Sequence, residues 1–98
     1  MEPVRAVAEI KLPKLIKKID SVYPEIAKQA RVEGIVMVEV TITGNGIVQS
    51  VRVLRSIPLL DQVAIDAVKQ YQYEPMVIGG KKRGIIFMVS VRFKLPKI

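Results

Sequence analysis

The clearest pattern in the chain is the alternation that closes it. Ile85, Phe87, Val89, Val91, Phe93 and Leu95 are apolar at every second position, with Ser90, Arg92 and Lys94 between them, the period of a strand that lays one face on a core. A second run of period two begins at Ile35, where Val36, Val38, Val40 and Ile42 point one way and Glu39, Thr41 and Thr43 the other. Gly44-Asn45-Gly46 ends it. Asn-Gly tolerates the positive φ angles of a type I′ turn, so the chain from Ile47 is expected to return antiparallel. In that return strand Val48 is out of phase with Val51 and Val53, and a one-residue bulge near Gln49 and Ser50 would turn both sets to the core.

Two stretches carry a helical period instead. Tyr23-Pro24 opens a helix to about Val32, since proline suits the first helical position. Ile26, Ala27 and Ala30 are expected on its inner face, Glu25 at its positive end and Gly34 as its left-handed C-cap. The second helix runs from about Leu59 to Tyr71, with Leu60, Ala64, Ala67, Val68 and Tyr71 along one face, and Pro75 stops any continuation. Met76 to Gly84 reads as a loop with a Gly79-Gly80 turn and a basic tip of Lys81, Lys82 and Arg83. Ahead of the first helix, Lys14 to Ile19 can form a short strand. In residues 1–13, Val4, Ala6, Ala8, Ile10 and Leu12 alternate between Pro3 and Pro13, a tether or a weak edge strand. The prediction is an α+β domain over residues 14–98 in β-α-β-β-α-β order. Its small antiparallel sheet has three main strands plus a short N-terminal strand, and two helices pack on one face.

Composition narrows the chemistry. At 98 residues the chain can build one core, not two. It has no Cys and no His, which removes the thiolate and imidazole nucleophiles and bases and the usual zinc ligands. Asp61 and Asp66 lie five apart, about 140° around a helix, so they read as solvated helix residues rather than a catalytic pair. No motif places a Ser-Lys dyad among Ser21, Ser50, Ser56 and Ser90. Gly44-Asn45-Gly46 joins two strands, whereas a phosphate loop feeds a helix. The expectation is a protein that is not an enzyme and takes no cofactor or metal. The longest apolar run, Ile85 to Val89, is far short of the roughly 20 residues of a membrane span, and the expectation from these residues is a chain with no secretion signal of its own.

Charge leaves two classes of binding function. Sixteen Lys and Arg against 9 Asp and Glu give a net charge of +7, which attracts nucleic acid, anionic surfaces and acidic peptides alike. The strand order is also that of RNA-recognition modules, and Lys82-Arg83-Gly84-Ile85-Ile86-Phe87 faintly resembles one of their motifs. Such modules stack bases on aromatics of their central strands, but Phe87 and Phe93 both fall on the apolar face of the last strand, as core residues do. A basic nucleic-acid-binding domain is therefore the alternative reading, and no nucleic-acid partner is expected. The favoured class is peptide capture: a regular strand at a sheet edge exposes backbone donors and acceptors that an extended peptide can complete.

The sequence resembles the C-terminal domain of the TonB energy-transducer family. The resemblance rests on Tyr23-Pro24 with Ala27, Ala30-Arg31-Val32-Glu33-Gly34, Gly46 with Val48, Val51-Arg52-Val53-Leu54 and Ser56. It continues through Pro58-Leu59-Leu60-Asp61, Ala64, Ala67, Tyr71-Gln72-Tyr73-Glu74-Pro75 and Gly80-Lys81 into the terminal strand. Tyr71 stands where the family commonly has Trp, and the Lys81-Lys82-Arg83 tip is more basic than usual. The resemblance implies a periplasmic domain of an inner-membrane-anchored protein, its anchor helix and proline-rich spacer absent from this sequence. It further implies work from an ExbB–ExbD type proton-driven motor and a grip on the TonB box of outer-membrane receptors for iron-siderophores or vitamin B12. By the resemblance, the grip is strand addition along Ile86, Met88, Ser90, Arg92 and Lys94 with Phe87, Val89, Val91 and Phe93 between them. The resemblance also implies that Asp20, Ser21, Val22 and Tyr23, before and within the Tyr-Pro pair, lie near the receptor. An open terminal strand can also pair with its twin, so a homodimer is a competing arrangement.

Overall fold

The computed structural model describes residues 4–5 and 12–96; the rest of the 1–13 segment, including Lys11, lies outside the described residues. The elements in chain order are β1 (Val4–Arg5), β2 (Leu15–Lys17), α1 (Glu25–Gln29), β3 (Gly34–Ile42) and β4 (Val48–Arg55). They continue with α2 (Pro58–Lys69), β5 (Gln72–Tyr73), β6 (Val77–Ile78), β7 (Lys81–Lys82) and β8 (Ile85–Phe93). The α+β class and the three antiparallel main strands are as the alternation predicts. The main sheet has the order β1-β8-β3-β4, so the long terminal strand lies between β3 and the two-residue β1. β8 pairs with β3 in unbroken antiparallel register from Ile85↔Ile42 to Phe93↔Gly34.

The short strand expected near Lys14 is present as β2. It pairs with β5 in a ladder of its own rather than joining the main sheet. The loop expected from Met76 to Gly84 is instead a β6–β7 hairpin, closed by Gly79 and Gly80 at φ 61° and 79°, the backbone sign of a type I′ turn.

One face of the main sheet makes the core. Val36, Val38, Val40 and Ile42 of β3 and Ile85, Phe87, Val91 and Phe93 of β8 are buried with Leu60, Ala64, Ala67 and Val68 of α2. The opposite face keeps Ser90, Arg92 and Met88 exposed. The bulge expected in β4 is at Gln49: Thr41 pairs with Ser50 and Ile42 with Val48. A second irregularity skips Leu54, since Met37 pairs with Arg55 and Val38 with Val53.

The first helix differs in detail from its pattern. It is five residues long, only Ala27 is buried, and Ile26 is 62% exposed. Ala30 also faces out. One turn and a half offers a single inward position, so the Ile26 and Ala30 assignments are wrong. The left-handed C-cap is Arg31, at φ 54°, and not Gly34, which begins β3. Arg31 N–H donates to the Lys28 carbonyl at 3.0 Å and Val32 N–H to the Ala27 carbonyl at 2.9 Å, the two bonds of a Schellman motif. The turn after β3 also differs: Asn45 is not among the positive-φ residues, and only Gly46 of its pair is left-handed, at 84°. Gly46 N–H bonds the Thr43 carbonyl at 2.9 Å and Thr43 N–H the Ile47 carbonyl at 2.8 Å, a three-residue loop rather than the two-residue type I′.

Candidate peptide-binding edge and cleft

A sheet of this order has two outer edges, and they are not equivalent. β4 is interrupted by the skips at Gln49 and Leu54, and bulges spoil an edge for further pairing. β8 holds a regular register through all nine residues. Its outer edge carries Val4 and Arg5 in parallel at Ile85 and Ile86; from Phe87 to Phe93 it pairs with no strand among the described residues.

At the far end of that edge lies a cleft of about 330 Å³. Asp20, Ser21 and Tyr23 line one side, and Ser90, Val91, Arg92, Phe93 and Lys94 the other. The two sequence-predicted groups therefore meet, although nearly seventy positions separate them. Tyr23 holds the wall in place: its ring stands edge-on to Phe93 at 5.6 Å and 86°, a favoured aromatic geometry, and its hydroxyl donates to the Val32 carbonyl. Desolvation, with a smaller push from Glu33, raises the Tyr23 phenol above its ordinary pKa. Val22 turns the other way, 77% exposed, and lines a second groove of about 250 Å³ with Val63, Asp66, Ala67 and Gln70 of the α2 side. Ile86, Phe87, Met88 and Val89 lie further along β8, outside the cleft.

Three cleft residues were not assigned to the site from sequence. Lys18 and Ile19 extend the wall before Asp20, and Tyr71 contributes from beyond the end of α2. The signal for Tyr71 was its place in the Tyr-Gln-Tyr-Glu-Pro run, read only as packing. Burial raises its pKa, with Asp20 adding to the shift, so the carboxylate at the cleft acts on the phenol. Lys18, Arg92 and Lys94 outnumber Asp20 as charged groups of the lining, which favours an acidic or carbonyl-rich visitor. Ser21 Oγ is buried and has no hydrogen-bond partner among the described residues, a donor left for one.

Other candidate chemistry resolves into structure. The Asp61 carboxylate accepts the Ile57 N–H at 2.8 Å and the Ser56 hydroxyl; it clasps the start of α2 and is not the solvated residue its spacing suggested. Asp66 accepts from Gln62 Nε2 at 2.8 Å. The basic tip lies at the opposite end of β8 from the cleft, where Lys82 Nζ donates to Asn45 Oδ1 at 3.2 Å and joins the two turns. Phe87 and Phe93 are 7% and 4% exposed, so neither offers the open ring face that base stacking needs. No described helix is long and apolar enough to cross a membrane.

Residues 20–95 match the family described as Gram-negative bacterial TonB protein C-terminal. Protein TonB of Vibrio cholerae serotype O1 is 35% identical over 75 residues, 74% of this chain and 31% of that protein. Protein TonB of Pseudomonas aeruginosa is 39% identical over 62 residues, 61% of this chain and 18% of its own length. The chain thus spans about a third or less of these relatives. The solution structure of the Pseudomonas aeruginosa TonB C-terminal domain superposes with a TM-score of 0.60 at 34% identity, covering 86% of this chain and 89% of that one.

Proposed function

The chain belongs to the TonB C-terminal domain family, and from that premise we propose that it grips a short extended segment, the TonB box, of outer-membrane receptors by adding it as a strand to β8. The observation that carries the reading is the regular outer edge from Phe87 to Phe93, left without a strand partner among the described residues and ending in the Asp20–Tyr23 cleft. Backbone pairing supplies most of the contact, so receptors with different box sequences can share one domain. In this reading the domain is periplasmic and takes work from an ExbB–ExbD type motor in the inner membrane for siderophore or vitamin B12 uptake. A second copy pairing on the same edge would compete with the receptor.

Titration of the isotope-labelled chain with a receptor TonB-box peptide tests this. Amide shifts concentrated in Phe87 to Lys94 and Asp20 to Tyr23 are expected, and an unperturbed spectrum at millimolar peptide refutes the reading. Val89→Pro and Ser90→Pro are the companion variants, because proline removes an amide donor. Whichever site directs its amide outward should lose binding while remaining folded, and full affinity in both would refute strand addition.

A further inference from the structure

β8 has one outer edge, and the chain itself already uses part of it. Its inner edge is consumed by β3 from end to end. On the outer side, Val4↔Ile85 and Arg5↔Ile86 form a parallel ladder of two residues. A β8 backbone group bonded to β1 cannot serve a second strand in the same place. An incoming segment must therefore begin beyond Ile86 or remove β1.

We propose that β1 is a built-in stop for the grip: it holds the first two positions of the β8 edge, sets the register at which a captured strand begins, and yields only to a longer one. This rests on the strand-addition reading above. Two features suit β1 to the role. A two-residue parallel ladder is the shortest and weakest kind of pairing, so it is displaceable. It is also tethered: Glu74 N–H donates to the Lys14 carbonyl at 2.9 Å and Leu15 pairs with Tyr73, which fixes the chain shortly after Arg5. The span from Arg5 to Lys14 can reach no further than about 30 Å, which holds β1 near its edge at an effective concentration on the order of millimolar. A free peptide that needs Ile85 and Ile86 meets a competitor that never diffuses away.

The test uses the full chain carrying V4P and R5P together. With Pro3 beside them, three successive prolines have no amide to donate and favour an open polyproline conformation. The probes are two capped synthetic peptides of alternating Thr and Val with one leading Glu, one as long as β8 and one about half that length. In the unsubstituted chain, nuclear Overhauser contacts between the backbones of Val4–Arg5 and Ile85–Ile86 are expected, and they vanish in the variant. The long peptide then binds the variant roughly fivefold to tenfold more tightly, the worth of two further residue pairs, while the short peptide binds both chains equally. Equal affinities of the long peptide for both chains overturn the stop and leave the grip standing. An equal gain for both peptides also overturns it, since occupancy of two edge positions cannot affect a strand that does not reach them. Failure of both peptides to bind either chain, with no shifts in Phe87 to Phe93, brings down the strand-addition reading and the stop with it.

Discussion

Replacing Gly46 by alanine should be among the most damaging single-methyl changes this fold can suffer. The residue is left-handed at φ 84°, and a Cβ built on it would stand 1.9 Å from the Tyr73 carbonyl oxygen and 2.7 Å from its carbon. Both atoms are backbone, so no side chain can swing aside; β5 must move. Moving it breaks the Tyr73 N–H to Gly46 carbonyl bond of 3.0 Å and the Ile47↔Gln72 bridge. It also disturbs the edge-on contact of Tyr73 with Phe87 at 5.2 Å and 85°. Left-handed strain costs about 1 kcal/mol, two lost backbone bonds about 1 kcal/mol each, and a loosened aromatic pair about another 1 kcal/mol. The expected loss is about 4 kcal/mol. Gly79→Ala is the control, because Gly79 has a similar φ of 61° but its added Cβ meets nothing within 4 Å, leaving only the strain of about 1 kcal/mol. Urea denaturation of both variants reads the difference. If Gly46→Ala costs no more than Gly79→Ala, the close approach of the turn to β5 does not stabilise the fold and the reasoning fails.

Three further outcomes follow from the packing and titration. Burial, helped by Tyr71, pushes the Tyr73 phenol up to about 12. Its neutral form is thus favoured by folding, and this stability is complete below about pH 10 and lost as pH rises towards 12, about 1–2 kcal/mol in all once solvent screening of a partly solvated phenol is allowed for; Tyr73→Phe should remove that part of the alkaline decline in denaturation curves taken across this range. Asp61→Ala should cost about 1–2 kcal/mol by freeing the Ile57 amide and Ser56 hydroxyl at the start of α2, while Asp66→Ala, whose bond to Gln62 is exposed, should cost under about 0.5 kcal/mol by the same assay. Leu60→Ala, at a fully buried position of α2, should cost about 3 kcal/mol, and a loss below about 1 kcal/mol in urea would contradict its place in the core.

How much of this was legible depends on which interaction decides each element. β3, β8 and α2 carry long amphipathic patterns, and burial of one face decides them, so their residues predict them closely. The Gln49 bulge was legible for the same reason, since Val48 and Val51 can share a face only with one residue skipped. The first helix was not, because a five-residue helix is closed by its C-terminal hydrogen bonds. Whether Arg31 or Gly34 takes the left-handed position is then a matter of where β3 must start. The Gly44-Asn45-Gly46 turn was misread because its form follows from the approach of Tyr73, a contact between distant segments that no local spacing reveals. Asp61 looked solvated because its partners Ser56 and Ile57 precede the helix. The cleft was legible in its two halves only through family resemblance; that Tyr71 and Lys18 join it follows from β2 pairing with β5, which alternation does not encode.

The same layout bears on what a pulled peptide would do. If a segment is held on Phe87 to Phe93 and drawn along the strand axis, its hydrogen bonds are loaded together in shear. The load then passes through β8 to β3, where every residue from Ile85 to Phe93 is paired and Ile85, Phe87, Val91 and Phe93 are also anchored in the core. The outer ladder is shorter and, on a largely exposed edge, less buried than the inner one. Detaching β8 from β3 would require stripping apolar side chains out of the core as well as breaking backbone bonds, at about 25 cal/mol for each Å² exposed. The grip should therefore release before the domain unfolds, so a single-molecule pull on a peptide tethered to β8 should end in clean rupture. Release of chain length before the peptide lets go would show that the inner ladder is the weaker link, and that force reaches the fold by some route other than β8.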